Sequence, residues 1–188
     1  MEDEQPNAPK FAPTLLVSMP QMLDPNFRRT VILLCEYSLD GAWGLVLNRP
    51  TGKTAASVVD FTPPLAGDSG LEVWLGGPVE PQRGALLLAE EPPDADVFEV
   101  SPGVYVSSSA ELLRRLIEGP PVAHARLLMG YAGWASKQLD RELTETAWLI
   151  CDVARDIIFD TSPGEMWEAA IRKLGVDPAA LQASSGVH

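Results

Sequence analysis

The sequence predicts an α+β fold, on three observations. Short runs rich in Val, Ile and Leu, each bounded by Gly, Pro, Asn or Asp, fill the first half of the chain. Amphipathic helical stretches interleave with further strand-like runs in the second half, whereas a doubly wound sheet alternates strand and helix throughout. The chain has 188 residues, 46% of them apolar and 21% charged, which suits one globular domain with a substantial core.

Residues 1–13 carry Glu2, Asp3, Glu4 and three prolines before any apolar pattern begins, and read as a flexible lead-in to a single domain over 14–188. Strand-like runs follow at Thr14 to Ser18, Thr30 to Tyr37, Trp43 to Leu47, Glu72 to Leu75 and Gly84 to Ala89. Asp40-Gly41 is a favourable hairpin turn, so the second and third of these are expected to pair antiparallel. A short helix fits Thr54 to Phe61. The acidic, proline-containing stretch Glu90 to Gly103 reads as a loop crossed by an edge strand at Val97 to Val100.

Helix signals are clearer further on. Ser108 to Glu111 has the spacing of a capping box, Leu112, Leu113, Leu116 and Ile117 form a stripe, and Gly119-Pro120 stops the helix. Leu139 and Leu143 lie one turn apart in a helix expected from about Ser136 to Thr146, flanked by strands at Arg126 to Gly130 and Trp148 to Cys151. A last helix is expected with Ser162 as N-cap and Pro163 at its first position. It buries Met166, Trp167, Ala170, Ile171 and Leu174, and Gly175 ends it.

Charge and motif tests exclude several function classes. With 14 Lys+Arg against 26 Asp+Glu the net charge is −12, which repels polyanions and argues against direct DNA binding. Nine of those acids lie in the lead-in and between Arg83 and Arg114, where no base intervenes, so they read as a solubilising exterior. The basic pairs Arg114-Arg115 and Arg172-Lys173 end single helices and make no helix-turn-helix recognition face. Gly52-Lys53-Thr54 mimics the tail of a phosphate-binding loop, but Leu47 stands where that pattern requires Gly, leaving a turn into a helix. Two Cys 116 positions apart, with His124 and His188, supply no metal-ligand spacing, and nothing calls for a cofactor. No G-x-S-x-G elbow is present, and His124 reads as a loop or strand-entry residue without a special role.

Cys35 and Cys151 sit in apolar runs, as buried, inert thiols do. The first residues have neither a basic n-region nor an apolar h-region, and no apolar run is long enough to span a bilayer. A soluble, cytoplasmic protein with reduced thiols is expected.

Four segments stand outside these patterns: Met19 to Phe27 (MPQMLDPNF), Gly44 to Pro50 (GLVLNRP), Gly76 to Val79 (GGPV), and Gly130 to Trp134 (GYAGW) followed by Gln138 to Glu142 (QLDRE). Together and in this order they resemble the AlgH/YqgE family of bacterial proteins, from about Ala12 to about Val176. The resemblance implies a mostly antiparallel, bent sheet closing into a partial barrel with flanking helices. It implies no reaction, although a transcriptional-regulator label attaches to the family. Two departures from the family pattern are Lys137, where a Gly before the Gln is usual, and Asp140, where Glu is common.

These segments place Gly or Pro beside an aromatic or an amide at strand ends. Gly130 and Gly133 suit close packing or positive φ, and Gln138 is positioned to reach back to backbone near Trp134. Asn48, Arg49, Trp134 and Gln138 are therefore candidate ligand-binding residues, lining one groove for an anionic or amide-bearing ligand. The alternative is that they lock the turns of the sheet, with Arg49 paired to Asp24 or Asp140. The functional expectation is a non-enzymatic binding or regulatory protein acting through a partner or a small ligand. The alternative is a hydrolase or transferase using Arg49 as anion clamp and Asp24 as base. Apolar surface near Trp43 or Trp74 offers a route to self-association.

Overall fold

The structure is a computed structural model, and it describes residues 11–185. Residues 1–10 of the expected lead-in lie outside the described residues. Phe11 already packs edge-on against Tyr37, with ring centroids 5.3 Å apart.

The described residues form ten strands and six helices. In chain order they are β1 (Thr14–Ser18), β2 (Val31–Ser38), β3 (Gly41–Val46), β4 (Pro50–Thr54), α1 (Ala55–Val58), β5 (Glu72–Leu75), β6 (Val79–Leu88), β7 (Phe98–Ser101) and β8 (Val104–Ser107). There follow α2 (Ala110–Glu118), β9 (Arg126–Ala135), α3 (Gln138–Thr144), β10 (Trp148–Cys151), α4 (Arg155–Phe159), α5 (Met166–Lys173) and α6 (Pro178–Ser185). The strands make one strongly curled, mostly antiparallel sheet, a half-barrel, in the order β10-β1-β2-β3-β9-β6-β8-β7. The β2–β3 hairpin closes at Ser38 opposite Gly41, as the Asp-Gly turn predicts. The expected edge strand is β7, at one end of the sheet.

Both faces of the sheet are covered, which is why its central strands read as unbroken apolar runs. Alternate residues of β1 and β2 divide between two cores. Leu15, Val17, Val31 and Leu33 face Ile158, Met166, Trp167 and Ile171 of α4 and α5. Leu16, Ile32 and Leu34 face Trp134, Leu139 and Trp148. A third core packs Leu86, Leu88 and Leu127 under Leu112, Leu116 and Ile117 of α2.

Strand β9 is the hub, and its use changes along its length. Its first half pairs in parallel with β5, Glu72 opposite Arg126 and Leu75 opposite Met129. Its second half pairs with β3, Ala132 opposite Gly44 and Ala135 opposite Gly41. Its other edge carries β6. The chain leaving β5 must therefore cross β9 within a few residues to begin β6, and it does so at Gly76-Gly77. A Cβ on Gly77 would lie 2.1 Å from the Tyr131 carbonyl carbon, and one on Gly130 would lie 2.2 Å from the Gly77 oxygen. Gly130 also holds φ at +74°. Bare backbone on both sides makes the crossing feasible. A Cβ on Gly133, by contrast, would meet side chains, with the Tyr131 ring at 3.3 Å and Val79 at 3.7 Å nearest.

Several boundaries differ from expectation. Pro50–Thr54 is a strand, kinked at Gly52 (φ +75°), and α1 spans only four residues because Val59 turns extended. In α2 the N-cap is Ser109, whose Oγ accepts from the Leu112 N–H at 3.1 Å; Glu111 is thus one position short of a capping box. Ser162 donates instead to the Glu165 carboxylate at 2.8 Å within a turn, so α5 starts at Met166 and Pro163 lies ahead of it. The buried face of α5 is the expected one except for Leu174, which is exposed just beyond its end. Helix α3 is shorter than expected, ending where Thr146 adopts φ +58°.

Candidate functional site

Asn48 and Arg49, in the link between β3 and β4, bind backbone. The Asn48 Nδ2 donates to the Arg29 carbonyl at 2.9 Å and its Oδ1 accepts from the Val31 N–H at 3.1 Å. The Arg49 guanidinium donates to the carbonyls of Arg28 at 2.6 Å and Pro25 at 3.4 Å. The expected pairing of Arg49 with Asp24 or Asp140 is not made. The turn at Asp24–Arg28 directs carbonyls at Arg49, while Asp24 accepts from the Asn26 N–H at 2.9 Å and Asp140 accepts from the Tyr37 hydroxyl.

Trp134 and Gln138 belong to a second cluster on the other side of the same loop. The Gln138 Oε1 accepts from the Ala135 N–H at 3.0 Å, the reach back to backbone that its position predicts. The cluster's centre is Glu142, which sequence reasoning passed over. Its Oε2 accepts from the indole N–H groups of Trp134 at 2.9 Å and Trp148 at 2.8 Å, and its Oε1 from the Gln138 amide at 3.0 Å. Phe27 lies on this aromatic pair, its ring centroid 6.5 Å from Trp134 and 5.7 Å from Trp148. The four motif residues are thus joined through the loop 19–30, which Asn48 and Arg49 hold by its carbonyls and the tryptophans hold by Phe27. None of the four lines the cleft described next.

Lys137, where the family pattern favours Gly, adopts φ +60° to turn the chain into α3. Left-handed backbone at a residue with a Cβ is strained. Lys137→Gly is expected to stabilise the fold by about 0.5–1 kcal/mol, the relief being partly offset by the looser unfolded chain. Urea denaturation measures it.

The cleft, of about 470 Å³, lies where β5, the start of β9, the loop before β9 and the loop after α4 meet. Arg126 lines it and is 7% exposed. Its guanidinium lies 4.3 Å over the Trp74 ring and 5.6 Å over the Phe159 ring. It donates to the carbonyl oxygens of Ile158 at 2.7 Å and Leu47 at 3.4 Å, and among the described residues forms no ion pair. Burial pulls its pKa down from the ordinary arginine range, opposed by the charge of nearby Glu72. A guanidinium has five N–H donors, so three remain without a protein partner among the described residues.

Around this cation the mouth of the cleft is acidic. Glu72 is exposed and accepts from the Trp74 indole N–H at 3.2 Å. Asp160 faces His124 at 3.7 Å, with side-chain exposures of 58% and 42%. His124 is in left-handed backbone, φ +58°, a strained conformation of the kind found at functional sites. Ser162 lines the same cleft, but its hydroxyl is donated to Glu165, so no serine–histidine contact is assembled. The signal for Arg126 was available in the sequence: in Arg126-Leu127-Leu128 it takes the Leu128 phase, on the face packed against α4 and α5.

Other titratable groups carry less chemistry. Cys35 and Cys151 are free and buried. Burial pushes the Cys35 thiol up to about 12, with Glu36 adding to the shift, and also raises Cys151. Among the described residues no group of three His, Cys, Asp or Glu is placed to hold a metal ion. No helix among them is long and apolar enough to cross a membrane.

Comparison with known proteins places the chain in a family. The family model described as AlgH-like (DUF179) matches residues 15–179. A UPF0301 protein of Magnetococcus marinus is 37% identical over 174 residues, covering 91% of this chain and 92% of its own. A UPF0301 protein of Myxococcus xanthus is 36% identical, covering 95% and 98%. The solution structure of the AlgH protein from Pseudomonas aeruginosa matches with a TM-score of 0.75 at 34% identity, covering 100% of both chains. A crystal structure of a Corynebacterium diphtheriae protein shares the fold, with a TM-score of 0.67 at 22% identity, covering 100% of this chain and 95% of that one.

Proposed function

The chain belongs to the AlgH-like family, and on that premise we propose that it is a non-enzymatic cytosolic binding protein whose small, anion-bearing ligand enters the Arg126 cleft. The observation that carries this reading is a buried guanidinium lining a cleft, with unused donors and no ion-paired carboxylate among the described residues. Burying a cation is unfavourable, and two carbonyls and two aromatic faces compensate it only in part. A ligand anion completes it. Regulation then passes through the ligand or a partner protein; a net charge of −12 speaks against contact with DNA. The motif residues Asn48, Arg49, Trp134 and Gln138 serve in this reading to hold loop 19–30 against the sheet.

The test is an NMR titration with small carboxylates and inorganic phosphate, comparing the wild-type protein with Arg126→Met. Saturable shifts at Trp74, His124 and Ser162 are expected in the wild type, with affinity about tenfold or more weaker in a still-folded variant. Shifts centred on Trp134 and Gln138, or unchanged affinity in Arg126→Met, would overturn the reading.

A further inference from the structure

Resting on that reading of the cleft, we infer that its ligand is an apolar amino acid bound as the zwitterion, with the carboxylate inward on Arg126 and the ammonium outward between Glu72 and Asp160. The charges of the cleft are layered by depth. The floor is cationic, since Arg126 is 7% exposed and is the one buried charge among the described residues. The mouth is anionic, since Glu72 is exposed and the Asp160 side chain is 58% exposed. A plain mono- or dianion approaching a protein of net charge −12 meets those two carboxylates before it reaches the guanidinium. A molecule with no net charge crosses that barrier, and one carrying both signs at opposite ends of a short skeleton matches both layers.

The walls settle the rest of the class. Trp74 and Phe159 flank the guanidinium, and Leu116 and Val122 add aliphatic surface to the same cleft. These surfaces suit a hydrocarbon side chain, and about 470 Å³ falls in the ordinary range for a small-molecule site. The three free donors of Arg126 suit a carboxylate, which accepts two parallel N–H groups from a guanidinium edge. An ammonium offers three donors, for which Glu72 and Asp160 are acceptors at the mouth.

The experiment is a calorimetric and NMR titration of the full chain at neutral pH with L-phenylalanine and L-leucine. Each is paired with the same skeleton lacking the amine, 3-phenylpropanoate and 4-methylpentanoate, and inorganic phosphate is run alongside. At least one amino acid is expected to bind about tenfold or more tightly than its des-amino partner. In Glu72→Gln/Asp160→Asn the preference is expected to collapse toward unity. Binding of the des-amino acid should hold or strengthen in that variant, which also reports that the site is still folded. If a des-amino acid or phosphate binds as tightly as the amino acids, and does so through Arg126, the zwitterion assignment is overturned while the cleft remains the anion site. If none of the five perturbs the cleft residues, both fall.

Discussion

Gly77→Ala is expected to leave the protein unfolded, or to cost more than about 4 kcal/mol, a range that a methyl group forced into fixed backbone can reach. The added methyl would stand 2.1 Å from the Tyr131 carbonyl carbon and 2.4 Å from the Ala132 nitrogen, at φ +150°. No side chain can rotate away, because every clashing atom is main chain of the hub strand. Relief would require β5 or β6 to separate from β9, and with them the Arg126 cleft would open. Gly130→Ala is expected to behave the same way, its methyl lying 2.2 Å from the Gly77 oxygen. The matched control is Gly164→Ala, where nothing lies within 4 Å and φ is not left-handed; it should change stability by no more than about 0.5 kcal/mol. Circular dichroism and urea titration of the three variants decide the matter, and a folded Gly77→Ala of near wild-type stability would contradict the crossing as described.

Glu142→Ala is expected to cost about 3–5 kcal/mol, because it removes three charge-assisted hydrogen bonds and leaves two buried indole N–H groups unpaired. Trp134 and Trp148 are 6% and 3% exposed, so water cannot readily replace the lost acceptor. Glu142→Gln is the informative partner. One amide oxygen can still accept from both indoles, which share Oε2, while its amine faces the Gln138 amine and loses that bond. A cost of about 1 kcal/mol is expected for Gln. Urea unfolding gives the energies, and the indole N–H resonances of Trp134 and Trp148 should both move in each variant. Equal losses for Ala and Gln would show that the negative charge, not the acceptor geometry, is what the cluster needs.

The parts of the fold legible from sequence were those where one local signal decides. The short apolar strands β1, β2 and β3, the Asp-Gly hairpin and the striped helices α2 and α5 each carry their own pattern within a few residues. Strands β4 and β8 and helix α4 were missed because they are short or lack the expected signals, and α6 was missed although Asp177 caps it and Pro178 stands at its first position. Pro50–Thr54 is almost wholly polar or glycine, and Arg155–Phe159 begins without a side-chain cap. The glycine motifs pointed to close backbone approach, which holds at Gly130 and not at Gly133. What they could not reveal is that the partner of Gly130 is Gly77, because sequence does not show which strands cross.

The sites divide the same way. Gln138 binding backbone near Trp134 is a local contact, three residues away, and was anticipated. The Arg49 partners lie 21 and 24 residues distant on a loop whose path depends on the finished sheet. Glu142 carries no local sign of its role, because its two indole donors come from different strands. The Arg126 cleft draws on four separate stretches of chain, so only the out-of-place charge in an apolar strand marked it in advance.

The central position of β9 also bears on the order in which the protein acquires its structure. The strands that flank it, β3, β5 and β6, are all synthesised before residue 126, so on a growing chain they wait without their common neighbour. The β1 strand waits longer still, since one of its two partners is β10 at residues 148–151. Such a sheet forms late and from contacts distant in sequence, which makes for slow folding. The exposed edges of a half-made sheet make that interval the period in which this chain most needs protection from aggregation.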